Sequence, residues 1–251
     1  MEINYFKITV NKQYKNPPIT EVVCEFRFEL EGVFDQKMVD LFFNEIKEKF
    51  PKKKKGQIHQ MKFEINPKEQ SFNKTFEEFD QFFSDDEKTL IQLDKGRLSI
   101  HKLKPYNSWQ KFYPLINLVF NSYIKNIKIK SIQRIGLRYI NNFIIPLFSF
   151  DIEQYFNLRP AMGKNLPQDL VSFMVGTIFA FESGRDNIKV QLLDRMAAQG
   201  KTTFVLDMDY FLVNPGSIQT NEITQWITSA HKNIEDVFEA VLKDKTKELF
   251  N

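Results

Sequence analysis

Cysteine is almost absent from this sequence: Cys24 stands alone among 251 residues. That excludes an internal disulfide framework and any zinc site built on several thiolates. Cys24 lies between Val22 and Phe26 on an alternating stretch, so it reads as a small buried apolar residue. A nucleophilic role would need a histidine brought beside it. Only three histidines occur, His59, His101 and His231, widely scattered, and neither His101 nor His231 has a carboxylate at motif spacing. Acid–base chemistry would need a partner supplied by the fold. Glycine is scarce too, at nine residues, and neither GxGxxG nor GxxxxGKS/T occurs, so no phosphate-cradling nucleotide loop is supported. GxSxG and HExxH are missing as well. No apolar run approaches the ~18–20 residues that cross a bilayer, and Met1 to Val10 lack the basic-then-apolar layout of a signal peptide. A cytoplasmic protein with no membrane contact and no cofactor is expected. Excess charge of one sign is also missing: 35 Lys and Arg oppose 32 Asp and Glu, a net charge of +3, without the strong basic excess of a nucleic-acid binder.

Phenylalanine is abundant, at 26 residues. Aromatics in excess can line a ligand pocket or stack on bases. They also rise with Lys, Asn and Ile in AT-rich coding sequence, Phe then replacing Leu in the core. Because the chain is rich in Lys and poor in Arg, its few arginines carry more information. A hydrophobic content of 42% supports a folded globule, and the length fits a single domain over 1–251.

Periodicity sets out the elements. Val22, Cys24, Phe26, Phe28 and Leu30 alternate with Glu21, Glu25, Arg27 and Glu29, predicting a half-buried strand over 19–30 behind the rigid Pro17-Pro18. Residues 36–50 predict a helix with Asp35 as N-cap and Pro51 as its stop. Strands are expected over 59–65 and 76–83. The acidic, Phe-rich stretch 76–88 could be an edge strand or a partner-docking segment. A hairpin over 89–103 turns at Lys95-Gly96, opposing Leu93 to Leu98, Ile91 to Ile100 and Asp94 to Arg97. A long helix follows; Pro114 argues that its regular part starts a few residues beyond Ser108 or Gln110. A strand over 131–146, a short helix over 151–156, strands over 170–182, 188–195 and 202–213, and a helix over 221–249 complete the chain.

The order strand, helix, strands, long helix occurs twice. Ile116, Val119, Phe120, Tyr123, Ile124 and Lys125 of the first long helix align at one constant offset with Ile234, Val237, Phe238, Val241, Leu242 and Lys243 of the second. This favours an internal duplication with halves 17–130 and 131–251. Each half resembles the plan of TATA-binding-protein-like and helix-grip folds. The expected product is α+β: a curved antiparallel sheet with both long helices on one face. The other sheet face, or the helix–sheet cavity, is then the binding surface.

Four groups are candidate sites. Arg134 and Arg138 share one strand face roughly 13 Å apart, with Gly136 between them leaving room for a ligand. Planar guanidinium forks suit phosphate or carboxylate; the alternative is a cross-strand ion ladder with Glu21 and Glu25. Lys52, Lys53, Lys54 and Lys55 form a basic run, read as a loop, which with Arg27 could touch nucleic-acid phosphates. Asp207 and Asp209 share a strand face and could hold Mg²⁺ or Mn²⁺ if a further ligand joined them, or be ion-paired. Each histidine is a weak candidate on its own.

Several strings together resemble a known family: Asn16-Pro17-Pro18-Ile19 before Glu21-Val22-Val23, Leu90-Ile91-Gln92-Leu93 before Arg97-Leu98, Tyr106-Asn107-Ser108-Trp109, the run Arg134 to Asn141, and Leu206-Asp207-Met208-Asp209. They are similar to a sporadically distributed prokaryotic family of about this chain's length, with no assigned function. The resemblance implies a cytoplasmic bacterial or archaeal protein, and patchy families are often carried on mobile or defence-related islands. The leading expectation is a non-enzymatic binding or protein-interaction module, as a component of a mobile-element or antiphage defence system, with a protein partner or a homo-oligomer contacting sheet edges. The alternatives are anion or nucleic-acid binding through the sheet face, and a metal-dependent phosphoryl-processing enzyme using Asp207 and Asp209.

Overall fold

Alternation along Ile19–Leu30 builds strand β1, whose Val22, Cys24, Phe26 and Phe28 are buried while the charged residues between them face outward. The computed structural model describes residues 14–66, 69–145, 152–167, 172–196 and 202–251, with 58–66, 69–77 and 195–196 described in backbone only. Helix α1 (Gln36–Ile46) follows, then β2 (Lys52–Asn66), β3 (Glu69–Phe83), the hairpin β4 (Thr89–Asp94) and β5 (Arg97–Leu103), and helix α2 (Trp109–Asn126). The second part holds β6 (Ile129–Ile145), β7 (Met174–Phe181), β8 (Asp186–Met196), β9 (Thr202–Leu212), helix α3 (Ile223–Val241) and the short α4 (Asp244–Lys247).

The strands form one nine-stranded antiparallel sheet in the order β2-β3-β4-β5-β1-β6-β9-β8-β7. Strands from before residue 128 occupy one side of it and later ones the other, with β1 and β6 meeting at the seam through Val22↔Tyr139, Cys24↔Leu137 and Phe26↔Ile135. Both long helices pack on the same face. On α2, Phe120 stacks on Phe26 at 5.1 Å and Tyr123 on Phe28 at 5.1 Å. On α3, His231 meets Tyr139 and Trp226 meets Tyr210. Around the seam the other face carries Glu25, Arg27, Arg134, Arg138, Asp207 and Asp209.

The hairpin register matches expectation pair for pair, and Gly96 sits at φ +82°, the left-handed conformation this tight turn requires. Asp35 caps α1, its carboxylate accepting from the Met38 N–H at 3.0 Å. Other boundaries differ. Helix α1 ends at Ile46, not at Phe50, although Phe50 is buried. Helix α2 starts at Trp109 with Pro114 inside it. The carbonyl Pro114 would have bonded belongs to exposed Gln110, where water can take it. The last helix stops at Val241, not Leu249, because Leu242 turns extended to bridge Phe156, and the Lys243 N–H donates to the Tyr155 carbonyl at 3.0 Å. The short helix expected over 151–156 is a single 3₁₀ turn, Ile152–Gln154. The stretch 76–83 is an edge only in part: residues 80–83 of β3 lie between β2 and β4, with Phe82 buried opposite Ile91, whereas residues 76–79 pair with β2 alone. Leu170, the expected start of β7, lies outside the described residues, as does the side chain of His59.

Candidate functional site

On the open sheet face the arginines are already occupied. Arg134 reaches to the strands on both sides of β6, donating across the seam to Glu25 of β1 at 3.0 Å and to Asp209 of β9 at 2.8 Å. Arg138 grips Asp207 with two bonds. Arg27 donates to Glu25 at 2.9 Å, and Arg97, opposite Arg27 in register, is held by Asp94. The room expected above Gly136 is filled by the Arg134 guanidinium, which a Cβ there would strike. Three arginines side by side across β5, β1 and β6 would repel one another; the interleaved carboxylates neutralise the row. Burial pushes the Asp209 carboxyl above its ordinary value, against the pull of Arg134 and Arg138. Among the described residues no group of three or more His, Cys, Asp or Glu side chains converges as metal ligands.

Lys52–Lys55 are not a loop: they open β2, paired with Phe83 to Asp80 of β3. A strand sends successive side chains to opposite faces, so the run does not make one basic patch. Lys53 and Lys55 bond Asp40 and Asp80 on one side, at 3.0 and 2.8 Å, while Lys52 bonds Glu87 on the other at 3.0 Å.

His101 sits between Glu21, at 2.8 Å from Nδ1, and Ser99, at 2.9 Å from Nε2. This bond, ahead of the opposing effect of burial, holds Glu21 below its ordinary value of 4.5. A carboxyl lowered on folding contributes stability above its unfolded value, and that stability is lost as pH falls through the lowered value. Glu21→Gln is therefore expected to cost about 0.5–1 kcal/mol near pH 7, a cost that shrinks as pH falls through the lowered value of Glu21, read from urea melts over a falling pH series. A cost that does not change with pH would rule out the ionised Glu21 carboxylate as the source. Cys24 is fully buried and its thiol is pushed far up by desolvation, which leaves it inert.

The helix face carries a different feature, a cavity of about 740 Å³ between the first turn of α2, the middle of α3 and the strands β1, β6 and β9. Its walls are aromatic. Trp109 lies flat on His231 at 4.0 Å and 17°, and the Tyr139 ring lies 5.9 Å from the imidazole at 24°. Polar groups converge in the same place. His231 Nδ1 is 3.0 Å from the Tyr139 hydroxyl, which is 3.2 Å from that of Tyr106, and His231 Nε2 is 3.3 Å from Glu235. In the tautomer that carries its proton on Nε2, His231 donates to Glu235 and Nδ1 accepts from Tyr139, whose oxygen accepts from Tyr106. Burial raises both phenols well above their ordinary values, keeping them protonated donors. Two carboxylates, Glu235 and Glu239, line the cavity against one lysine, Lys232, which Asp236 holds at 3.2 Å. Glu239 accepts from Tyr14 at 2.7 Å and is neutralised by Lys247 at 3.1 Å.

The sequence reading placed Tyr139 on the apolar strand face and left His231 without a carboxylate. Glu235, one helical turn along, was the available signal. No protein-family model and no curated protein matches the chain. No helix among the described residues is long and apolar enough to cross a membrane.

Proposed function

We propose that this chain is a non-enzymatic binding module that holds a small organic molecule in the helix–sheet cavity. The observation that carries this reading is the coincidence of an aromatic-walled space of about 740 Å³ with a convergent set of polar groups, Tyr106, Tyr139, His231 and Glu235. Small-molecule sites characteristically combine such a volume, an apolar lining and a few placed polar groups. Glu235, the one lining carboxylate not bonded by a lysine or arginine, favours a neutral or cationic ligand with a flat apolar body. The open sheet face supports an anion less well, because an incoming phosphate would have to displace a carboxylate from each guanidinium.

The same reading takes the chain as one cytoplasmic domain of two related halves, 17–130 and 131–251. Its support is the strand order outward from the seam, β1-β5-β4-β3 on one side and β6-β9-β8-β7 on the other.

Titration with benzylamine and tyramine tests the cavity. Trp109 lines it, whereas Trp226, the other tryptophan, is buried against Asp186. Saturable quenching of Trp109 is expected, with about 2.7 kcal/mol of added stability at a hundredfold excess over Kd. Thr228→Trp, at an exposed position on the cavity rim, should abolish both effects. If cationic, neutral and anionic aromatic probes all leave fluorescence and melting temperature unchanged, the cavity is not a ligand site.

A further inference from the structure

The two edges of the sheet are built in opposite ways. An edge strand offers a row of unpaired N–H and C=O groups, and soluble proteins guard such edges with charge, proline, bulges or a covering element. The β2 edge is guarded: it opens with Lys52, Lys53, Lys54 and Lys55. The β7 edge is not. Its eight residues, Met174-Val-Gly-Thr-Ile-Phe-Ala-Phe181, include no charge and no proline, and its ladder to β8 runs unbroken from Met174↔Leu193 to Phe181↔Asp186. No strand pairs with its outer side among the described residues. Met174 is 70% exposed, Ile178 57% and Phe179 45%, three of the large apolar side chains the protein leaves most open.

We propose that two copies of this chain pair antiparallel along β7 about a two-fold axis, joining their sheets into one. The strand's own sequence favours a second copy over an unrelated segment. In an antiparallel pair, directly opposed residues share a sheet face. A two-fold centred on Thr177 sets Met174 opposite Ala180 and Gly176 opposite Ile178 on the open face, large against small in both cases. On the helix side it sets Val175 opposite Phe179, a β-branched residue against an aromatic, and Thr177 opposite itself. With no charge on the strand, nothing repels its copy. Seven opposed pairs give roughly six to eight backbone hydrogen bonds across the axis, and the contact is isologous and closed, so it stops at two.

Thr177 provides the test, since it faces its own symmetry mate. Analytical ultracentrifugation of the full chain should show a concentration-dependent dimer. Thr177→Arg and Thr177→Asp should each raise the dimer dissociation constant at least about a hundredfold, because like charges then stand face to face. An equimolar mixture of the two variants should dimerise again. Ile178→Lys, at an exposed side chain, is a second disruptor, and circular dichroism melts confirm that each variant is folded. A wild-type chain that stays monomeric up to millimolar concentration overturns the proposal. So does a dimer that survives all three substitutions, and so does a charge-swapped mixture that fails to reassociate while both variants remain folded.

Discussion

Asp186→Ala is expected to cost about 3–5 kcal/mol, because it removes the acceptor at the centre of a buried network. Asp186 opens β8 and is fully buried. Its carboxylate accepts from Trp226 Nε1 of α3 at 2.8 Å, from the Tyr210 hydroxyl of β9 at 3.2 Å, and from Arg185 Nη2 at 2.6 Å. Tyr210 in turn accepts from Asn233 of α3 at 3.1 Å. One carboxylate therefore ties two strands to the helix that covers them. Alanine would strand three donors, two of them on side chains with almost no access to water, and a buried donor without a partner forfeits its full desolvation cost. Against a typical total of about 5–15 kcal/mol, such a loss is a third or more of the stability. Asp186→Asn keeps the volume and one acceptor, and should cost about 1–3 kcal/mol. Urea unfolding followed by Trp226 fluorescence measures both. A loss under about 1 kcal/mol for alanine would mean that water replaces the carboxylate, contrary to this account.

Phe26→Ala should be of similar size, about 3–5 kcal/mol, for a different reason. Phe26 is fully buried on β1, stacked on Phe120 of α2 at 5.1 Å and beside Phe28 at 5.9 Å. Its strand is hydrogen-bonded on both sides, to β5 and to β6, so the walls cannot close on the space a ring would leave. A poorly collapsing site puts the cost at the upper end of the cavity range. Tyr123, in the same aromatic group, is the internal control. Its hydroxyl is buried with no hydrogen-bond partner among the described residues. Tyr123→Phe removes an unsatisfied group and should leave stability unchanged or raise it by up to about 1 kcal/mol. Chemical denaturation of the pair separates the two effects; a Phe26→Ala cost below about 2 kcal/mol would show that the sheet centre yields.

Much of the fold was legible because its signals are local. The period-two alternation of β1 and β6 and the Lys95-Gly96 turn each lie within a few residues, and each appears in the structure as read. Helix ends were less legible because tertiary contacts set them: Leu242 leaves the helix to pair with Phe156, far away in sequence. The arginine ladder was foreseen in kind but not in detail. Arg134 does find Glu25, but its second partner is Asp209, and Glu21 goes to His101. Those choices depend on strand order, which no local pattern encodes. The cavity was least legible of all, since Tyr139 and His231 meet across 92 positions of sequence. The lysine run misled for the opposite reason: four like charges in a row look like a patch until a strand divides them between two faces.

The seam also fixes an order of events during synthesis. Strand β1 has one lateral partner, β5, within the first half, and its other partner, β6, leaves the ribosome more than a hundred residues after β1 begins. At roughly 5–20 residues per second, the nascent chain passes several seconds with Val22, Cys24 and Phe26 on a strand open along one flank. Long-range pairings of this kind are slow and expose partly folded chains to aggregation. The ribosome-bound first half therefore carries an open strand flank, and the arrival of residues 129–145 is the step that covers β1 and passes the open flank to β6 until β9 is made.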